Sequence, residues 1–170
     1  MNENALLALA AAGDTAAYEA LVRTHQSRLR GFLRRLARGD RALADDLAQE
    51  AILEAWRKIR QFRGEGAFSA WLARIGYRRY LMWARQRKLE PLDENTNDFA
   101  AATPSPDVKL DLEKAMARLS APERAALTLC YAQSYTNEEA AAILELPLGT
   151  LKSHVARGRE KLKALLEVAS

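Results

Sequence analysis

The helical period that governs most of this 170-residue sequence breaks off between Glu90 and Pro106, and that interruption limits the possible folds more than any other feature. The stretch holds Pro91, Pro104, Pro106, several acids, Asn95, Asn97 and Ser105, and it carries neither a helical nor a strand period, as expected of a linker. On both sides of it apolar residues return every three, four or seven positions. The prediction is an all-α chain of two small helical domains: an N-terminal bundle over 1–90, an acidic flexible linker over 91–112, and a C-terminal domain over 113–170. Eight glycines and five prolines leave little room for a loop-rich or all-β fold, and 49% apolar residues suffice for a core.

In the first half, Asp14 is placed to cap a helix whose apolar positions are Tyr18, Leu21, Val22, Leu29, Phe32, Leu33 and Leu36. Gly39-Asp40 separates it from a second helix, about Arg41 to Ile59, with Leu43, Leu47, Ala48, Ala51, Ile52, Ala55 and Ile59 on one stripe. A break at Phe62 to Gly66 follows, and Ser69 is the expected cap of a third helix running to about Lys88.

The net charge of +4 is unevenly spread. Residues 1–90 carry 17 basic and 10 acidic side chains (+7), 91–112 carry 1 and 5 (−4), and 113–170 carry 8 and 7 (+1). A basic front half suits a polyanion such as nucleic acid. The first twelve residues do not read as a signal peptide, and no run reaches the roughly 18 to 20 apolar residues that a bilayer span needs. The expected location is the cytoplasm. The single cysteine, Cys130, excludes an internal disulfide and a cysteine-pair zinc site. With no paired histidines, phosphate-cradling glycine loop or nucleophile-base set, an enzyme is not expected, nor a metal, a cofactor or a small-molecule substrate.

The segment from Ser134 to Leu162 reads as a helix-turn-helix. Thr136 or Asn137 caps a short helix containing Ala140, Ala141, Ile143 and Leu144; Glu145-Leu146-Pro147 turns the chain; a second helix begins near Pro147. At 100° per residue, Leu151, Val155, Gly158 and Leu162 fall on its buried side. Lys152, Ser153, Ala156, Arg157 and Glu160 fall on the opposite side, flanked by Thr150, His154, Arg159 and Lys161, where they are free to face a major groove. Arg157 and Lys152 can donate to guanine edges or phosphates. A plain helical hairpin with a solvated polar face is the alternative.

Two faces of the first half also stand out. On the second helix Leu53 falls opposite the core stripe, among Asp46, Gln49, Glu50 and Arg57, as a protein-binding anchor would, although a lone exposed leucine is ordinary. On the third helix Arg74, Tyr77, Leu81, Arg85 and Lys88 share a face, with Trp71, Leu72, Ile75 and Met82 on another. A face that mixes cations with an aromatic suits single-stranded nucleic acid, with bases stacked on rings and phosphates against the charges.

Taken in order, DDLAQEAILEAW, FRGEGAFSAWLARI, an acidic proline-containing linker, LSAPERAALTL and NEEAAAILELPLGTLKSHVARGREKL make the chain resemble extracytoplasmic-function (ECF) sigma factors of bacterial RNA polymerase nearly end to end. The resemblance implies a sigma region two over the first domain and a sigma region four over the last. It implies that Asp46, Gln49, Glu50, Leu53 and Trp56 dock on core polymerase. It also implies that Phe62, Arg63, Glu65, Arg74, Tyr77, Arg78, Leu81, Arg85 and Lys88 melt and hold the minus-ten element as a single strand. Thr150, Lys152, Ser153, His154, Arg157 and Arg159 would read the minus-thirty-five duplex. The implied partners are core RNA polymerase, promoter DNA in both forms and an anti-sigma factor, which could hold the protein at the inner membrane. The sequence departs from the family pattern at Gly76, Arg78 and Met82 in the third helix, at Glu145 where the turn usually has glycine, and at His154 where the recognition helix usually has arginine. A stand-alone helix-turn-helix regulator and a sigma mimic that sequesters an anti-sigma factor are the rival readings.

Overall fold

A computed structural model describes residues 1–89 and 108–169, and every described regular element is helical. The expected linker lies outside the described residues except for 108–112, which form the start of a helix rather than the end of a tether.

Four helices form the front module. α1 (Glu3–Ala11) is capped by Asn2, α2 (Thr15–Leu36) by Asp14, whose carboxylate accepts from the Ala17 amide at 3.1 Å, and α3 (Arg41–Lys58) by Asp40 in the same way at Leu43. Each cap satisfies an amide that the helix itself leaves without a partner. α3 tightens into a single 3-10 turn, Ile59–Gln61, before the chain crosses to α4 (Phe68–Leu89). The buried stripe of α3 is built largely of alanine, Ala44, Ala48, Ala51 and Ala55, so α2 and α4 can approach it closely. Phe32, Leu33, Phe68 and Leu72 fill the middle of the module. Where α4 meets α2 the fit is tight: a Cβ on Gly76 would lie 2.9 Å from Leu29 Cδ1, so that the leucine would have to shift.

The rear module comprises α5 (Val108–Ala117), α6 (Ala121–Leu127), which widens into one π turn over Thr128–Ala132, α7 (Asn137–Leu144) and α8 (Leu148–Ala169). Capping boxes start α6 (Ser120 with Glu123) and α7 (Thr136 with Glu139). α8 packs on α6 at Gly158, where a Cβ would come within 2.9 Å of Leu127 Cδ1.

One expectation for α4 is corrected. Ser69 does not cap it: the helix begins at Phe68, Ala67 supplies the first accepting carbonyls, and the Ser69 hydroxyl is buried, accepting from the Tyr135 hydroxyl at 3.1 Å. Met82, placed on a face with Trp71, Leu72 and Ile75, is exposed, unlike Leu72 and Ile75. α4 is covered by α2 and α3 on one side and by α7 on the other, so its buried stripe is broader and rotated relative to that of a helix packed within one module.

The two modules pack directly on each other, α2 against α5 and α6, and α4 against α7. Arg124 is the centre of this contact. Fully buried, its guanidinium donates to the Leu36 carbonyl at 2.8 Å and the Arg35 carbonyl at 3.1 Å, to the Tyr80 hydroxyl at 3.2 Å, and within its own module to the Leu119 carbonyl at 2.7 Å. A cation from the rear module thereby caps the carboxyl end of α2, where carbonyls lack intrahelical partners and the helix dipole is negative. Nearby, Arg28 donates to the Gln133 carbonyl, Gln133 Nε2 returns a bond to the Arg28 carbonyl at 2.6 Å, and the Arg28 guanidinium lies 4.0 Å over the Tyr135 ring.

Candidate nucleic-acid and protein interfaces

The first candidate surface is the outer face of α3. Helical spacing from the buried alanine stripe turns Asp46, Gln49, Glu50 and Leu53 outward, and all four are exposed, Leu53 at 56%. α4 braces this face from behind: Arg79 holds Glu54 through Nε at 2.6 Å and reaches Glu50 through Nη1 at 4.0 Å, while Lys58 takes the other Glu54 oxygen at 2.6 Å. Partial burial pushes the Glu54 carboxyl up, and the hydrogen bonds from Lys58 and Arg79 more than reverse this, leaving it below the usual carboxylate range. The helix thus presents an apolar knob among the exposed Asp46, Gln49, Glu50 and Arg57. Trp56, the fifth residue of the implied polymerase contact, is half-buried, its ring 4.9 Å from that of Tyr18, and it props the helix against α2.

The second surface lies along α4 and the loop before it. Arg63 and Glu65 are exposed in the loop, and Phe62 folds back onto Phe68 and Trp71, with ring centroids 5.8 and 5.3 Å away. Lys58, Gln61, Trp71, Arg74, Ile75 and Arg78 line a shallow cleft of about 140 Å³. Arg74 and Arg78 stand one turn apart beside it. Leu81 is half-buried and Arg85 exposed, while the side chain of Lys88 falls outside the described residues. Tyr77 corrects the expected cation-aromatic face. It is buried against Phe32, centroids 6.3 Å apart, so in this arrangement the face is cationic and its accessible aromatic is Trp71. Burial, reinforced by Tyr80 and opposed by Arg124, raises the Tyr77 phenol.

The third surface is the solvent side of α8. Leu151 and Gly158 are buried, Val155 and Leu162 half-buried, and Thr150, Lys152, Ser153, Ala156 and Arg157 are exposed, as the 100° projection requires. Arg157 is steadied along the helix by the Ser153 carbonyl at 3.4 Å and His154 Nδ1 at 3.3 Å. Burial and then the charge of Arg157 lower the His154 imidazole, with Glu123 opposing, which favours the neutral ring. Arg159 is exposed but turned aside, over Tyr131 at 5.7 Å. At the back, Lys161 grips Glu123 at 2.8 Å and ties α8 to α6.

Sequence reasoning passed over the residues that join the modules. Arg124 stands beside Glu123 at the start of the apolar run of α6, where nothing local marks it as buried. Glu145, noticed only as an unusual turn residue, adopts φ +56° at the end of α7 and forms ion pairs with both Arg74, at 2.6 Å, and Arg78. Among the described residues no group of three or more histidine, cysteine, aspartate or glutamate side chains could hold a metal ion, and no helix is long and apolar enough to cross a membrane.

Comparison with known proteins matches these surfaces to two domains in the same order. The family model for Sigma-70 region 2 covers residues 21–90, and that for Sigma-70, region 4 covers 109–162. The ECF RNA polymerase sigma factor SigE of Mycolicibacterium smegmatis is 33% identical over 169 residues, spanning 92% of this chain and 65% of that protein. The ECF RNA polymerase sigma factor SigM of Mycobacterium tuberculosis is 34% identical over 163 residues, spanning 95% of this chain and 83% of the relative. Among solved structures, the sigma factor RpoE of Bartonella quintana, crystallised with the anti-sigma factor NepR, superposes with a TM-score of 0.75 at 31% identity, covering 89% of this chain and 97% of that one. With both regions present in order and the likeness running through nearly the whole sequence, the chain belongs to the ECF group of RNA polymerase sigma factors.

Proposed function

We propose that this chain is an alternative sigma factor that binds core RNA polymerase and directs transcription initiation at particular promoters. In this reading residues 1–90 bind the polymerase and the minus-ten element, and residues 113–170 bind the minus-thirty-five element as duplex. The exposed face of α3, Asp46, Gln49, Glu50 and Leu53, is the polymerase contact. Arg63, Arg74, Arg78 and Arg85, with Phe62 and Trp71 at the cleft, hold the melted strand through phosphate charge and base stacking. Thr150, Lys152, Ser153 and Arg157 on α8 meet the major groove, with His154 and Arg159 beside the phosphates. The function is binding and positioning rather than turnover, exercised in the cytoplasm. An anti-sigma factor is the expected regulator, by analogy with the Bartonella complex.

The observation that carries this reading is the Leu53 knob, an exposed apolar side chain among two acids, an amide and Arg57 on the helix that matches region 2. Mixing the chain with sigma-free core polymerase should give a stable holoenzyme by gel filtration. Leu53→Asp should weaken it by about 2 to 4 kcal/mol, as loss of a central anchor does, with the circular dichroism spectrum unchanged. A stand-alone regulator would instead bind operator duplex without polymerase, and Leu53→Asp would leave that binding intact.

A further inference from the structure

We propose that Glu145 is an internal substitute for a DNA phosphate, which holds the rear module over the strand-binding face of α4 in the free protein and must be displaced before that face can be used. The proposal rests on the assignment of Arg74 and Arg78 to strand binding. Both guanidiniums are half-exposed, one helical turn apart, and both converge on a single oxygen of the Glu145 carboxylate, Arg74 through Nε at 2.6 Å. That geometry is what a backbone phosphate between two arginines would take up. Glu145 reaches it from the turn that follows α7, the helix of the helix-turn-helix that packs on α4.

The backbone makes the choice of residue informative. Glu145 sits in the left-handed region at φ +56°, where glycine is unstrained and a Cβ crowds the following carbonyl. A glutamate tolerated there gains something from its side chain, and the two ion pairs are its polar contacts in the structure. Partial burial pushes its carboxyl up, but the hydrogen bonds and charges of Arg74 and Arg78 outweigh this and leave it below the usual carboxylate range, so the latch is anionic at neutral pH. The neighbouring contacts act in the same sense: Tyr135 to Ser69, Arg28 to Gln133, and Arg124 to the end of α2 all join the modules in this closed arrangement. Strand binding and closure therefore compete for the same two arginines.

The test uses the full free chain, with small-angle scattering for the radius of gyration and a fluorescein-labelled single-stranded oligodeoxynucleotide of mixed sequence for strand affinity. Glu145→Gln and Glu145→Gly should both raise the radius of gyration and tighten oligonucleotide binding by roughly tenfold, the gain expected when a minor open state becomes the major one. An Arg74→Ala, Arg78→Ala double variant should also open the chain but lose the oligonucleotide. If both Glu145 variants keep the parent's radius and affinity while the arginine pair still governs binding, the latch is refuted and the strand-binding assignment survives. If the double variant opens the chain without weakening the oligonucleotide, competition is refuted and the assignment of these arginines fails with it.

Discussion

Replacing Arg124 by methionine, which keeps much of the volume and removes the charge, should cost the closed protein far more than any surface arginine. The guanidinium supplies four hydrogen bonds, three of them to the other module. The Arg35 carbonyl keeps a second donor, the Arg38 amide at 3.3 Å, whereas among the described residues no other bond to the Leu36 carbonyl accompanies that from Arg124. Stranding one buried acceptor costs about 1 to 3 kcal/mol, and the weakened bonds to Arg35, Leu119 and Tyr80 add to it. Relief of the burial penalty on the cation offsets part of the loss. Burial pulls the Arg124 guanidinium below its ordinary pKa, with Tyr80 opposing and Arg38 assisting, so that relief is real. The net effect should be about 2 to 4 kcal/mol, which at an ordinary urea dependence moves the unfolding midpoint down by roughly 1 to 2 M. Arg124→Lys should recover little, because one ammonium cannot reach acceptors arranged for a planar fork. Exposed Arg118→Met is the control and should change stability by less than about 0.5 kcal/mol. Equal midpoints for Arg124→Met and Arg118→Met would refute the claim that this buried cation joins the modules.

Other consequences can be checked separately. Gly158→Val should overpack the α6 and α8 contact against Leu127 and destabilise the chain by about 1 to 3 kcal/mol in urea unfolding. Thr136→Ala removes the acceptor for the Glu139 amide and should lower stability by about 1 kcal/mol, visible in the same experiment. Arg157→Ala should weaken promoter duplex binding by holoenzyme by about 1 to 3 kcal/mol at one base position if it reads an edge, or evenly across sequences if it touches phosphate alone, which a panel of mutated duplexes distinguishes.

What the sequence made legible was everything that depends on local period. The caps Asp14 and Thr136, the alanine-rich stripe of α3, the outward Leu53 and the polar side of α8 all follow from 3.6 residues per turn and from amides that need a partner. What it hid was set by packing between modules far apart in the chain. Tyr77 was assigned to a strand-binding face because arginines stand at its helical neighbours; it is buried because α4 is covered from two sides. Ser69 is turned inward for the same reason. Arg124 and Glu145 take their roles from partners 88 and 71 residues away, which no local pattern can specify.

The most direct measurement is transcription from fragmented genomic DNA by purified core polymerase that lacks its own sigma factor, with start sites mapped by sequencing. Adding this chain should produce discrete starts that share two upstream sequence elements, one near minus ten and one near minus thirty-five, and Leu53→Asp should abolish them. Starts no different from those of core polymerase alone would contradict the account, even with the helical architecture intact.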